Sequence, residues 1–219
     1  MHQELIPEVK LMKINNGIVT SDKIKIIQHL IPKTNKEAYG YPMKTEYVTI
    51  HNTGNPNASA LANSMYVDRN NGYVSWHFTV GKDEIYQELP INISAWHAGD
   101  GANGAGNRKS IGIEIAEVPG AEETAIKFVA ELLEALNLSV DKIVPHKYWK
   151  SEKYPNGKNC PRLILPHWDK FIDNIKKEMS GNTNRDKVQK RFGFDNNTML
   201  HLDKHPYPDA LYNKLANIK

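Results

Sequence analysis

One cysteine, Cys160, stands in a chain of 219 residues. Its solitude excludes an intramolecular disulfide, so a buried core must hold the fold. The short metal signatures are missing too: HExxH and a CxxC pair are both absent, and any metal site has to be assembled from distant segments. No run approaches the ~18 apolar residues of a membrane span, which excludes membrane insertion. The opening "MHQELIPEVKLMKINNG" lacks the unbroken apolar core and small-residue cleavage site of a secretory leader. The expectation is synthesis in the cytoplasm without a signal peptide, so that another agent must release the protein if it works outside. Basic residues outnumber acidic ones only slightly, for a net charge of +3, and lie dispersed among them. That balance speaks against nucleic acid as the partner. "GDGANGAGNRKS" lacks GxxxxGK[ST] and leads towards a strand, which makes a bound nucleotide improbable.

What is present is a globular composition, 40% hydrophobic and 24% charged, long enough for one domain and a small appendage. "YVTI" is a β-branched and aromatic run ended by "GNP", read as a strand that places Tyr47, Thr49 and His51 on one face and leaves His51 at a sheet edge. "GYVSWHFTVG" alternates as a second strand and "EIYQELP" returns as its hairpin partner. "AWHAGDGANGAGNRKS" reads as a long glycine-rich loop. In "SIGIEIAEV" the carboxylate of Glu114 lies between Gly112 and Ala116 on one strand face, as on a cleft floor. "EETAIKFVAELLEALNLS" and "LPHWDKFIDNIKKEM" carry apolar stripes at helical spacing. The fold class is therefore α/β. "SGNTNRD" reads as a short linker, separating a main domain at 1–179 from a small helical C-terminal segment at 183–219.

Histidines at strand ends are the first candidates for metal ligands, because a ligand needs a rigid base and an open side. His51 after "YVTI" and His146 after "KIVP" fit, and Cys160 supplies a soft third donor. In an extended segment Lys158 projects beside Cys160, where an ammonium favours the thiolate. Two imidazoles and a thiolate leave one tetrahedral position open, the pattern of catalytic zinc. The alternative is a cysteine serving as a small buried hydrophobe, with Glu114 a solvated strand carboxylate and Lys158 an ordinary surface lysine.

Taken in order, "VTIHNTGN", "SWHFTVGKDEIYQELP", "AWHAGDG", "NRKSIGIEIAE" and "IVPHKYWKSEKYPNGKNCP" resemble the type 2 N-acetylmuramoyl-L-alanine amidases, the group that contains phage endolysins and peptidoglycan recognition proteins. The resemblance covers about residues 40–178. It implies a mixed central sheet flanked by helices, and Zn2+ held by His51, His146 and Cys160. It also implies hydrolysis of the muramoyl–L-alanine amide in bacterial peptidoglycan, with Glu114 and Lys158 as catalytic residues. His77, Trp96 and His97 become candidates for substrate binding, although His77 is equally readable as a hydrogen-bonded cleft wall and Trp96 as core. The implied agent is a phage or prophage endolysin that acts on the cell wall after release, with a bacterial autolysin or a non-catalytic recognition module as alternatives. The oligomeric state is left open, and the C-terminal segment is readable as wall-binding or self-associating.

Overall fold

The computed structural model describes residues 12–36, 38–69 and 72–218; the leader reading falls largely on residues 1–11, outside them. β1 (Met12–Asn15) and β2 (Ile18–Ser21) form an antiparallel hairpin. β3 (Ile26–Gln28), β4 (Tyr47–Asn52), β5 (Phe78–Val80), β6 (Ile85–Gln87), β7 (Ser110–Ile115) and β8 (Ile143–Pro145) form one mixed sheet in the order β3-β6-β5-β7-β4-β8. Its neighbours are parallel except the β5–β6 hairpin. The helices are α1 (Ala60–Val67), α2 (Ala105–Lys109), α3 (Ala121–Leu136), α4 (Trp168–Phe192), α5 (Asn196–Asp203) and α6 (Pro208–Ala216).

The alternation read in the sequence assigns the two faces of the sheet. Val48, Ile50, Phe78, Val80, Ile111 and Ile113 are fully buried. The apolar stripe of α3 lies over this side, where Phe128 meets Phe78 edge to face at 4.8 Å. Burying such a side chain contributes roughly 1.5–3 kcal/mol, so this face is the main source of cohesion in the sheet. The opposite face carries Thr49, His51, Gly112, Glu114 and Thr79 in register across β4, β7 and β5. There α1 covers one end, with Ala60 against Tyr86 and Ala116, while His97 covers Gly112 and the ends of the strands at His51 and Glu114 open onto a cleft.

Four expectations change. His51 is not at a sheet edge: the three-residue β8 pairs with β4 on its outer side, and so short a run shows no periodicity. Of "GYVSWHFTVG" only Phe78–Val80 is strand, and the glycine-rich loop holds the short helix α2. "SGNTNRD" is not a linker but lies inside α4. The chain divides into a unit ending at Trp168 and a second from Asp169. Within the second, Val188 of α4 joins Met199 and Tyr212 in a buried cluster, and Arg185 forks onto Asp203 at 2.9 and 3.1 Å. Tertiary partners of this kind hold helical a polar stretch whose glycine and asparagines disfavour helix.

Candidate metal centre and cleft

His51 sits near the end of β4, directly beside Glu114 of β7 in the parallel register. On the other side Ile50 pairs with Pro145, so His146 enters one step past the end of β8. Cys160 comes from a separate loop that is pinned to the same place. Its carbonyl accepts the Lys147 N–H at 2.9 Å, and the Asn52 side chain accepts the Leu163 N–H at 3.0 Å. Gly157 packs against Lys147 so closely that a Cβ would lie 1.9 Å from its carbonyl oxygen, which only glycine tolerates.

The result brings the three expected ligands together: one donor atom each from His51, His146 and Cys160 lies within 4.8 Å of the others. All three are buried, at 1%, 6% and 7% exposure. The hydrogen bonds say which nitrogen of each imidazole is available. His146 Nε2 lies 3.0 Å from the Ala98 carbonyl, which can only accept, so the proton sits on Nε2. Its Nδ1 is buried without a partner. His51 Nδ1 faces Cys160 Sγ and Glu114 Oε1, each at 3.8 Å. Glu114 Oε2 is a further buried atom without a partner.

Charge is suppressed throughout this cluster. Burial holds His51 well below the usual imidazole range, aided by His146, His97 and Lys158. His146 is pushed down to about 4 by burial and then by Lys158. Burial raises Glu114 to about 8 against the pull of Lys158. Cys160 is driven up to about 12 by burial and by Glu114, and Lys158, though it acts in the expected direction, is outweighed. The donor set therefore consists of two neutral imidazoles and a thiol around unsatisfied lone pairs, which fits a divalent cation able to displace the thiol proton. Its softness suits zinc over magnesium or calcium.

Above the cluster lies a cleft of about 540 Å³. Glu114, Lys158, Trp96 and His97 line it together with the three donors. Trp96 is half-buried and meets the exposed ring of Tyr73 edge to face at 5.3 Å, so it forms cleft wall more than core. His97 is only 8% exposed; its Nδ1 lies 3.0 Å from His51 Nε2 and its Nε2 lies 3.2 Å from the Ser110 carbonyl. His77 is fully buried and absent from the lining. Its Nε2 lies 2.8 Å from the Ile93 carbonyl and its Nδ1 accepts the Gly112 N–H at 2.9 Å, so both nitrogens are spent beneath the floor. That is the hydrogen-bonded wall and not the substrate contact. Sequence reasoning missed Asn107, whose Oδ1 accepts the N–H groups of His97 and Ala98 at 2.9 and 2.8 Å and so holds the loop rigid. It also missed Tyr73, Trp76 and Arg162 in the lining.

A mixed sheet whose strand ends converge on buried His, His and Cys donors beneath an open cleft defines a candidate metallohydrolase. Residues 41–163 match the family described as N-acetylmuramoyl-L-alanine amidase, and the chain belongs to that family. It is 42% identical over 159 residues to N-acetylmuramoyl-L-alanine amidase CwlH of Bacillus subtilis (strain 168), covering 69% of this chain and 61% of that protein. To N-acetylmuramoyl-L-alanine amidase CwlA of the same organism it is 37% identical over 205 residues, with 86% and 72% covered. The solved catalytic domain of XlyA superposes with a TM-score of 0.63 at 43% identity, over 69% of this chain and 99% of that one. PlyL, at 31% identity, gives the same TM-score over 69% and 97%. The chain spans 61% and 50% of the lengths of CwlH and of the Bacillus subtilis (strain 168) amidase XlyA. Among the described residues no helix is long and apolar enough to cross a membrane.

Proposed function

We propose that this chain is a zinc-dependent hydrolase that cuts the amide between N-acetylmuramic acid and L-alanine in bacterial peptidoglycan. The observation that carries the reading is the convergence of buried donors on His51, His146 and Cys160 at the base of the cleft. Bound to those donors, zinc supplies Lewis acidity towards water and a carbonyl group. Glu114, its Oε2 without a partner and its carboxyl raised by burial to about 8, would in its ionised form take the proton of the attacking water and deliver it to the leaving amide nitrogen. Lys158 brings a positive charge to the cleft where the oxyanion develops. Trp96 and Tyr73 form the aromatic wall against which a sugar or stem peptide lies.

The biological role that fits is that of a phage or prophage endolysin reaching the wall after release; a bacterial autolysin would have the same chemistry. The unit ending at Trp168 then carries catalysis, and the unit from Asp169 holds the protein on the wall, where Tyr207, 72% exposed, is the most open aromatic among the large exposed side chains. The test is to incubate the protein with purified peptidoglycan and label new amino termini. L-alanine amino termini that disappear on chelation are the expected result. Wall binding without release would make the chain a recognition module instead. In the same assay Tyr207→Ala should lower the fraction sedimenting with the wall while leaving release from soluble fragments unchanged.

A further inference from the structure

The cleft has a polar device beneath it that the hydrolytic scheme does not use. His97 lies flat against the backbone at Gly112: a Cβ there would stand 2.7 Å from His97 Cγ and 2.8 Å from Cδ2. Any other residue at 112 would displace the ring. The Gly112 peptide is itself fixed from below by the N–H bond to His77. From the loop side, Asn107 fixes the backbone of His97. The ring is therefore pressed against a fixed peptide and carried on a fixed backbone, with little freedom to turn.

Its hydrogen bonds have a direction. The Ser110 carbonyl, 3.2 Å from His97 Nε2, can only accept, so Nε2 carries the proton. A neutral imidazole has one proton, and Nδ1 is left as an acceptor. The atom facing Nδ1 at 3.0 Å is His51 Nε2, which must then donate. His51 in turn has its proton on Nε2, and its Nδ1 lone pair points at Cys160 and Glu114. We propose that His97 is a positioning residue: through the relay Ser110 C=O, His97, His51 it locks His51 in the tautomer and ring orientation that offer Nδ1 to the metal. His146 reaches the same tautomer by a direct bond to the Ala98 carbonyl, so the two imidazoles present the same nitrogen by different routes.

This assignment rests on the reading of His51 as a ligand, and its test separates the two. Zn2+ affinity is measured by chelator competition for the full chain, for His97→Phe, which lacks an acceptor, and for His97→Asn, whose Oδ1 takes the place of Nδ1. Loss of an outer hydrogen-bond partner typically costs about 10–100-fold in metal affinity. The expected result is a loss of about that size in His97→Phe with its fold retained, and affinity close to the parent in His97→Asn. Independently, long-range 1H–15N spectra of the metal-free parent should show His51 protonated at Nε2 and bare at Nδ1, together with a 15N–15N coupling across the hydrogen bond from His51 Nε2 to His97 Nδ1. That tautomer is the commoner one in water, and the coupling is the signature that a merely space-filling His97 would not produce. Parent-like Zn2+ affinity in His97→Phe, or a proton on His51 Nδ1, overturns the relay. If His97→Phe fails to fold, the spectrum of the parent decides. A parent that binds no Zn2+ overturns the metal reading instead, while the spectrum still reports whether the relay exists.

Discussion

Glu114 and Cys160 stand within a few ångströms of the same imidazole, yet their substitutions should separate cleanly. Glu114→Gln preserves shape and leaves the three donors in place, so Zn2+ affinity should hold while turnover falls by about 10²–10⁴-fold, the usual worth of a general acid–base group. Cys160→Ser removes the soft donor, and there metal occupancy itself should fall, as read by metal analysis after gel filtration. An active Glu114→Gln enzyme would remove that residue from proton transfer. At this scale the sequence was partly legible. His51, His146 and Cys160 stand at strand ends and beside a proline, positions with local signatures, and they converge as expected. His97 and His77 carry no such signature, because what an imidazole does is decided by the carbonyl it meets. Those carbonyls, Ser110 and Ile93, are brought up by the fold and not by neighbours in sequence.

Legibility at the scale of elements followed the length of the pattern. The sixteen residues of α3 and the six of β7 repeat their periods often enough to be read. Three-residue strands repeat too little to be read by period alone: β5 and β6 were legible as a hairpin and pair as one, whereas the pairings of β3 and β8 exist by virtue of their neighbours. The β1–β2 hairpin did leave a sign, the dipeptide Asn16–Gly17 between apolar runs, both residues taking positive φ as a tight hairpin turn requires. In the C-terminal unit the decisive element is α4, whose Arg185 is 2% exposed and forks onto Asp203, with the Tyr212 hydroxyl donating to the same carboxylate at 2.5 Å. Arg185 is buried, while Asp203 keeps 20% exposure of its side chain and the bond from Tyr212, so the loss is that of charge-assisted hydrogen bonds. Arg185→Ala should therefore destabilise this unit by about 1.5–3 kcal/mol in a urea unfolding curve. A change below about 0.5 kcal/mol would show that water reaches the pair.

For the molecule as a whole, the buried histidines set an acid limit. His77 is fully buried and held down to about 4, and His97 to about 3, in both cases chiefly by burial. Their unfolded counterparts titrate near ~6.5, so between the two values the unfolded chain binds more protons. The part of the metal-free protein's stability that these two histidines supply should be fully present above pH ~6.5 and decline as pH falls towards 4, with His77 alone contributing on the order of 3 kcal/mol of the decline. Glu114 and Glu88, both raised by burial, have the opposite sign and weaken the fold as pH climbs from ~4.5. Urea unfolding of the parent and of His77→Gln in chelator at a series of pH values measures the histidine part as the difference between two profiles. Parallel profiles would mean that protonation of His77 does not oppose its contacts.

The donors of the centre also span the chain: His51 and Cys160 are 109 residues apart in sequence and 3.8 Å apart in space. An ion held by both would do the work of a crosslink, closing one long loop in a protein that has no second cysteine with which to make a covalent one. The unit that carries the cleft would then be fastened by the same group that equips it for the proposed chemistry, and a copy that lost its ion would lose its reactivity and its clasp together.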